Sequence, residues 1–383
     1  MSFRDESVKL TKSLSLSVKK QYGIYFTPKE IRQKLLSFID IIPSNILEPS
    51  FGSGEFIYDV IERYPNAQID GVELNQDFYN NVRKNMTSNK ISLYNEDFLN
   101  FESSHQYDLV IGNPPYVVTK VKNQCCYNGR GNLFVLFIYL CLTKHVKKDG
   151  ILAFIIPTSF MNCVYYEPCR KYIYDNCRIL YAETITDGKW LDTCQKTMIL
   201  IIKNEVCYEK PYFMRSSGYF ITEHVNELSD LMSNSKNLKE LGLSVRTGQI
   251  IWNEHKDDLI EEDGILLIYD TNLVGDGKLK LNNLSKGEKK QMIRRQKVVP
   301  MKGPALLIAR GFGNNYKLRY ALIPEETIFY GENHVNVITG NRDILNLCYE
   351  SLGNNKTKRF IELFVGNGAL SKTDIEKRLP FFL

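Results

Sequence analysis

The 383-residue chain has no apolar run long enough to cross a bilayer: the longest, Leu133 to Leu142, has ten residues, and a spanning helix needs about 20. That run is expected to be a buried element, with no membrane as partner. The stretch Met1 to Glu6 lacks the apolar core and small-residue cleavage site of a secretory leader, so a cytoplasmic location is expected. Metal-ligand spacings are missing as well. The five histidines are scattered, and the nine cysteines, at 125, 126, 141, 163, 169, 177, 194, 207 and 348, include no C-x-x-C pair. Reduced thiols and no metal are the expectation. There is no internal repeat and no low-complexity tract.

What is present is a core-rich composition, 43% apolar with 24% charged residues and a net charge of +5, which excludes a disordered or fibrous chain. At roughly 150 residues per domain the length suggests about two. Through residue 203, short β-rich runs alternate with amphipathic stretches. Ile46-Leu47, Ile69 to Leu74, Ile91 to Tyr94, Tyr107 to Ile111, Ile151 to Ile156 and Thr197 to Lys203 read as strands. Pro28 to Ile39, Gly54 to Tyr64, Gln76 to Met86 and Asn132 to Val146 read as helices, the last closed by Lys147 to Gly150 with its glycine as C-terminal cap. This alternation predicts an α/β domain with a doubly wound, mostly parallel sheet, whose ligand site lies at the carboxyl ends of the strands. Beyond Lys203 the rhythm breaks, and the boundary is placed at 225: one domain over 1–225 and a mixed α+β domain over 226–383. Charge segregates in the second. Lys278 to Arg319 holds twelve Lys/Arg against one acid, Glu288, while Glu254 to Asp276 is acidic. Most such runs are only solvated faces, but a basic one of this density also suits phosphates.

Three motifs describe a nucleoside pocket. Ile46 to Phe56 is a strand running into Gly52-Ser53-Gly54 and then a helix, where glycines allow close backbone approach and the helix start offers free N–H groups. It is neither the dinucleotide fingerprint, since Ile57 stands where a third glycine would fall, nor a P-loop; alone it is also an ordinary tight turn. Glu73, nineteen residues past Gly54 at the end of the next strand, can accept both hydroxyls of a ribose. Asp97, after the third strand, can accept from an adenine amino group while Phe98 lies against the ring.

The fourth motif carries the chemistry. The apolar strand Asp108 to Gly112 feeds into Asn113-Pro114-Pro115-Tyr116, and the two prolines keep the neighbouring carbonyls out of any ladder or helix. An exocyclic amine on a heteroaromatic ring is a poor nucleophile because its lone pair is delocalised. The Asn113 side-chain oxygen and the Pro114 carbonyl can accept its two hydrogens and stabilise the charge that develops as it attacks, with Tyr116 as a stacking and cation–π face.

In these motifs the sequence resembles the S-adenosylmethionine-dependent amino methyltransferases, and within them the gamma class of DNA adenine-N6 methyltransferases of type II restriction–modification systems. The resemblance covers about the first 200 residues by motif. It implies that Gln21 to Pro28 is the N-terminal cofactor motif, with Thr27 beside the methionine portion. Glu48 to Phe56 becomes the glycine motif, so that Glu48, Gly52, Gly54, Glu73, Asp97 and Phe98 bind the cofactor and Asn113, Pro114 and Tyr116 act on the substrate. By offset from the strand Met198 to Ile202, Trp190 matches an aromatic residue that packs on the target adenine, although the class more often has Phe there. The target would be flipped out of double-stranded DNA. The second domain would read the sequence, with Arg294, Arg295, Lys297, Lys302 and Arg310 as phosphate or guanine contacts; Gly303 to Gly311 and Gly366 to Lys377 look like pieces of such a domain. A monomer or weak dimer is implied, with any cognate restriction endonuclease a separate protein. The same tetrapeptide also serves methyltransferases acting on RNA bases or protein glutamine. A fused nuclease centred on Asp276, Glu288 and Lys290, which lack a strand frame, and an inactive binding module are weaker readings.

Overall fold

A computed structural model describes residues 3–4, 7–9, 26–86, 88–185, 196–216, 218–283, 287–311, 316–364 and 369–383. The chain divides into two compact units, Met1–Val225 and Asn226–Leu383.

The first unit is built on β1 (Asn45–Glu48), β2 (Gln68–Val72), β3 (Ile91–Tyr94), β4 (Tyr107–Gly112), the short ribbon strands β5 (Val118–Thr119) and β6 (Gly131–Asn132), then β7 (Val146–Pro157), β8 (Arg178–Ile185) and β9 (Thr197–Lys203). Helices α1 (Lys29–Ser37), α2 (Glu55–Arg63), α3 (Gln76–Asn85), α4 (Leu133–Leu140) and α5 (Glu167–Asn176) alternate with them. Seven strands form one sheet in the order β3-β2-β1-β4-β7-β9-β8. The pairs from β3 to β7 are parallel, and β9 inserts antiparallel between β7 and β8. The predicted mostly parallel sheet is thus present, with one reversed strand.

The central strands are buried on both faces, as continuous apolar runs require. On β4, Val110 faces one core cluster while Leu109 and Ile111 face the other; on β9, Leu200 and Ile202 oppose Ile199 and Ile201. Helices α1 to α3 supply Leu35, Ile57 and Val82 to the second cluster, and α4 and α5 supply Phe134, Ile138 and Ile173 to the first. The ten-residue apolar run is α4 with the first two residues of a π-helical turn, Cys141–His145. Among the described residues no helix is long and apolar enough to cross a membrane.

One predicted boundary is corrected. Lys147 to Gly150 does not cap a helix: β7 begins at Val146, and the segment bulges out between Val146, paired with Tyr107, and Ile151, paired with Leu109. Asp149, at φ +64°, turns the bulge, and the Lys147 ammonium reaches the Asp108 carboxylate. Helix α5 and strand β8 lie where no strand or helix was predicted, and so does the short ribbon strand β5.

The unit ends in a hairpin of β10 (Phe213–Arg215) and β11 (Tyr219–Ile221). The second unit contains α6 (Val225–Ser233), which begins at its boundary, with β12 (Ser244–Thr247), β13 (Leu259–Ile260), β14 (Ile265–Ile268), β15 (Leu273–Val274), β16 (Lys278–Leu279), β17 (Met292–Ile293), β18 (Met301–Lys302), β19 (Ala305–Ala309), β20 (Tyr320–Ile323), β21 (Ile328–Gly331) and β22 (Val335–Thr339). Three helices follow: α7 (Arg342–Gly353), α8 (Asn355–Phe364) and α9 (Lys372–Lys377). The larger sheets are β12-β22-β19-β20 and β13-β17-β14-β21-β18. Strand β19, part of the segment Gly303 to Gly311, is buried throughout.

Candidate active site

A cavity of about 330 Å³ opens where β1, β2 and β4 end, lined among others by Thr27, Glu48, Gly52, Glu73, Asp97, Phe98 and Asn113. Parallel strands place their carboxyl ends on one edge of the sheet, so residues from distant parts of the sequence meet there. Glu48 is the last residue of β1. The turn behind it brings Gly54 to φ +79° as the N-cap of α2, with its N–H donating to the Phe51 carbonyl at 2.7 Å; only glycine takes that left-handed backbone without strain.

Glu73, just beyond β2, is 9% exposed. Its Oε2 accepts from the Gly52 N–H at 2.8 Å and its Oε1 from the Asn75 N–H at 2.7 Å. Burial raises its carboxyl pKa above the ordinary value while those N–H groups pull it back. Asp97 lies three residues past β3, with Oδ1 accepting from the Leu99 N–H at 3.0 Å. Phe98 lines the cavity from a deeply buried position, packed on Phe137 and His145 with ring centroids at 4.6 and 5.1 Å.

On the opposite wall, Asn113 Nδ2 donates to Thr27 Oγ1 at 3.1 Å, which orients the amide with its oxygen away from Thr27. Asn113 and Pro115 line the cavity, whereas Pro114 is buried and Tyr116 half-buried. The Tyr116 hydroxyl donates to the Ile155 carbonyl at 3.1 Å, and its ring meets Phe134 edge-on at 6.0 Å. Trp190 lies outside the described residues, as do residues 21–25 of the N-terminal motif and 366–368 of the Gly366 to Lys377 segment.

Sequence reasoning missed a buried ion network beneath the glycine turn. Arg32, 2% exposed on α1, pairs with Glu55 at 2.8 Å and Asp59 at 2.5 Å and donates to the Thr27 carbonyl at 2.5 Å. It thereby ties the Thr27 segment to the start of α2. The available signal was its position among Ile31, Leu35 and Leu36, on the buried stripe of α1. A charge there needs a partner.

The residues fit S-adenosylmethionine. Glu48 lines the cavity and is almost fully buried, yet its Oε2 has no hydrogen-bond partner among the described residues. A buried acceptor in that state calls for a ligand carrying donors or positive charge, and this cofactor carries an ammonium, a sulfonium and ribose hydroxyls.

In the second unit Arg294, Arg295, Lys297, Lys302 and Arg310 are all exposed. Ile293 pairs with Ile265 and Lys302 with Ile328, and Leu266 with Phe329, so Ile293 and Lys302 lie at the same end of the strands but on opposite sides of β14 and β21. The segregation of charge along the chain is only partly kept in space. Lys302 pairs with Glu326 at 2.6 Å, Lys290 lies 4.0 Å from Glu261, and Arg294 Nη1 donates to the Asp257 carbonyl at 3.5 Å. Glu288 accepts from the Asn283 N–H at 2.6 Å.

The family described as Eco57I restriction-modification methylase matches residues 3–188. Modification methylase CviBIII of Paramecium bursaria Chlorella virus NC1A is 32% identical over 97% of this chain and 96% of that protein. Type II methyltransferase M.CvrRI of Paramecium bursaria Chlorella virus XZ-6E is 30% identical over 99% of each. A shorter likeness, 29% identity over 29% of this chain and 50% of the relative, is to a tRNA1(Val) (adenine(37)-N6)-methyltransferase of Yersinia pestis strain Pestoides F. The class is thus that of the methyltransferases. Within it, likeness along the whole length places the chain in the restriction–modification methylase family, as a DNA methyltransferase.

Proposed function

We propose that this chain methylates N6 of adenine at a specific sequence in double-stranded DNA, as the modification arm of a restriction–modification system, in the gamma arrangement of that family. The observation that carries the reading is the Asn113 to Tyr116 segment, which follows β4 and puts Asn113 and Pro115 on the wall of a cavity whose other wall holds Glu48, Glu73 and Asp97. S-adenosylmethionine supplies a methyl group made electrophilic by its sulfonium. Glu73 would hold the ribose hydroxyls, Asp97 the adenine amino group, Gly52 and Gly54 the close backbone approach, and Thr27 and Glu48 the methionine end.

The Asn113 side-chain oxygen and the Pro114 carbonyl accept the two hydrogens of the target amine and stabilise positive charge on it, the kind of preorganised electrostatics that outweighs other terms in catalysis. Thr27 fixes the amide for that task, and the tie to Ile155 fixes Tyr116 for stacking. Extruding the base costs a few kcal/mol, partly offset by stacking on Tyr116 and, from the family resemblance, on Trp190. The second unit would read the sequence through Arg294, Arg295, Lys297, Lys302 and Arg310. The short likeness to a tRNA adenine-N6 methyltransferase supports adenine as the target base. DNA is favoured over RNA because the two modification methylases align along nearly the whole chain and the tRNA enzyme along 29% of it.

The test uses DNA from a methylation-deficient host and labelled cofactor, followed by digestion to nucleosides. Label on N6-methyladenine is expected; label on cytosine, or transfer to RNA or peptide alone, sinks the reading. Asn113→Ala should keep S-adenosylmethionine binding and lose methyl transfer by several orders of magnitude. Unchanged turnover would remove Asn113 from the chemistry.

A further inference from the structure

The segment between Tyr116 and α4 is a basic ribbon rooted in the rim of the cavity. Its two ends, Val117 and Leu133, both line the cavity, and the Leu133 N–H donates to the Val117 carbonyl at 2.8 Å. Strands β5 and β6 pair beyond that bond, Val118 with Asn132 and Thr119 with Gly131. The ribbon is held firmly. Tyr127 is buried at its base with its hydroxyl on the Val121 carbonyl, Cys169 N–H donates to the Cys126 carbonyl at 3.1 Å, and Asn128 N–H donates to the Tyr165 carbonyl at 2.8 Å.

Its charge is of one sign. No Asp or Glu occurs from Asn113 to Lys148. Lys120, Lys122 and Arg130 are exposed on the ribbon, and among the described residues none is paired with a carboxylate. Lys120 follows Val117 by three residues, about 10 Å along an extended backbone, so the cations stand near the mouth and not within the cavity. A nucleotide extruded from a duplex stays bonded through its 5′ and 3′ phosphates, which are drawn to the mouth of the pocket that receives the base. Three unpaired cations on a rigid arm at that place match those anions.

We propose that Lys120, Lys122 and Arg130 form a phosphate clamp on the strand that carries the target nucleotide, holding its flanking phosphates while the base occupies the site. The clamp rests on the reading above that the substrate is a flipped base in DNA. It adds a sequence-independent grip within the catalytic unit. Its contacts should release counterions on binding, at about 0.9 in the slope of log affinity against log salt per neutralised phosphate.

The test uses the full chain and its Lys120→Gln, Lys122→Gln, Arg130→Gln triple variant, with a duplex oligonucleotide carrying the sequence that the unaltered protein modifies. Wild-type affinity for S-adenosylmethionine in the variant establishes that the fold is intact. The variant's salt slope should be shallower by up to about 1.8, two phosphates at 0.9 each, with a higher KM for DNA. Neutral methylphosphonates in place of the phosphates flanking the target should weaken binding by the unaltered protein and leave the variant's affinity nearly unchanged. Equal slopes in the two proteins, or equal losses on methylphosphonate DNA, would overturn the clamp alone. Failure of the unaltered protein to methylate any DNA would overturn the functional reading and the clamp with it.

Discussion

At the end of β1 the Glu48 side chain is 2% exposed. Burial pushes its carboxyl pKa well above the ordinary 4.5, the nearby Glu73 adds to the rise, and Arg32 opposes it. A carboxyl whose pKa is higher in the folded protein than in the unfolded chain favours folding fully below the unfolded value of 4.5, and that contribution is lost as pH rises through the folded value. The ligand-free protein should therefore lose stability through this group toward neutral and alkaline pH. Glu48→Gln, neutral throughout, should raise Tm relative to the unaltered protein at pH 8 and leave the two alike near pH 4. It should also weaken S-adenosylmethionine binding at pH 8. Thermal denaturation across pH without ligand, with a calorimetric Kd, checks both, and parallel Tm profiles would show that Glu48 is not held protonated. The glycine motif points to Glu48 in the sequence. Its protonation state depends on Arg32 and Glu73, brought to it by other elements.

At the scale of elements, legibility followed the kind of burial. Strands β1, β4, β7 and β9 could be read because apolar runs buried on both faces leave a continuous signature, and the edge strand β3 because half-buried and exposed residues alternate along it. Helix α5 was missed because Arg170 sits on its buried side, where a periodicity search expects an apolar residue. Its guanidinium instead satisfies the carbonyls of Tyr219 at 2.5 Å, Phe160 at 3.0 Å and Cys163 at 2.8 Å. Strand β8 is half-buried with a register shift after Ile179, which blurs alternation. The bulge in β7 mimicked a helix end because Asp149 and Gly150 suit a turn of either kind. The cofactor wall was largely legible, since Glu48, Glu73 and Asp97 each follow a readable strand. The ribbon was not, because β5 and β6 have two residues each and rest on Tyr127. Gly131 tests that anchor: a Cβ there would come within 2.3 Å of the Tyr127 ring, and the ring cannot move without leaving Val121. Gly131→Ala should destabilise the unit by about 1–3 kcal/mol, the usual cost of overpacking, and lower DNA affinity more than cofactor affinity. Denaturant unfolding with a wild-type midpoint would show that the ribbon yields without cost.

Over the whole molecule a net charge of +5 is modest, and what counts is how much positive charge is left uncompensated. The basic run Lys278 to Arg319 reads as one patch along the chain, but its pairing with β13 and its acidic flanks divides it: Lys302 and Lys290 have carboxylate partners. Arg294 Nη1 has a neutral carbonyl as acceptor, so its charge stays available. Arg295 is also exposed. Non-specific affinity for DNA scales with the cations free to displace counterions. Arg294→Ala with Arg295→Ala should therefore weaken duplex binding and reduce the salt slope by up to about 1.8, two contacts at 0.9 each. Lys302→Ala, which also frees Glu326, should lower affinity without the full 0.9 of a bare phosphate contact. Binding titrations at several salt concentrations, on a duplex with and without the modified sequence, separate the roles: an arginine on a phosphate changes both duplexes alike, and one on a base edge changes only the cognate duplex. If the double variant keeps the unaltered slope and affinity on both duplexes, Arg294 and Arg295 are a solvated face with no part in holding DNA.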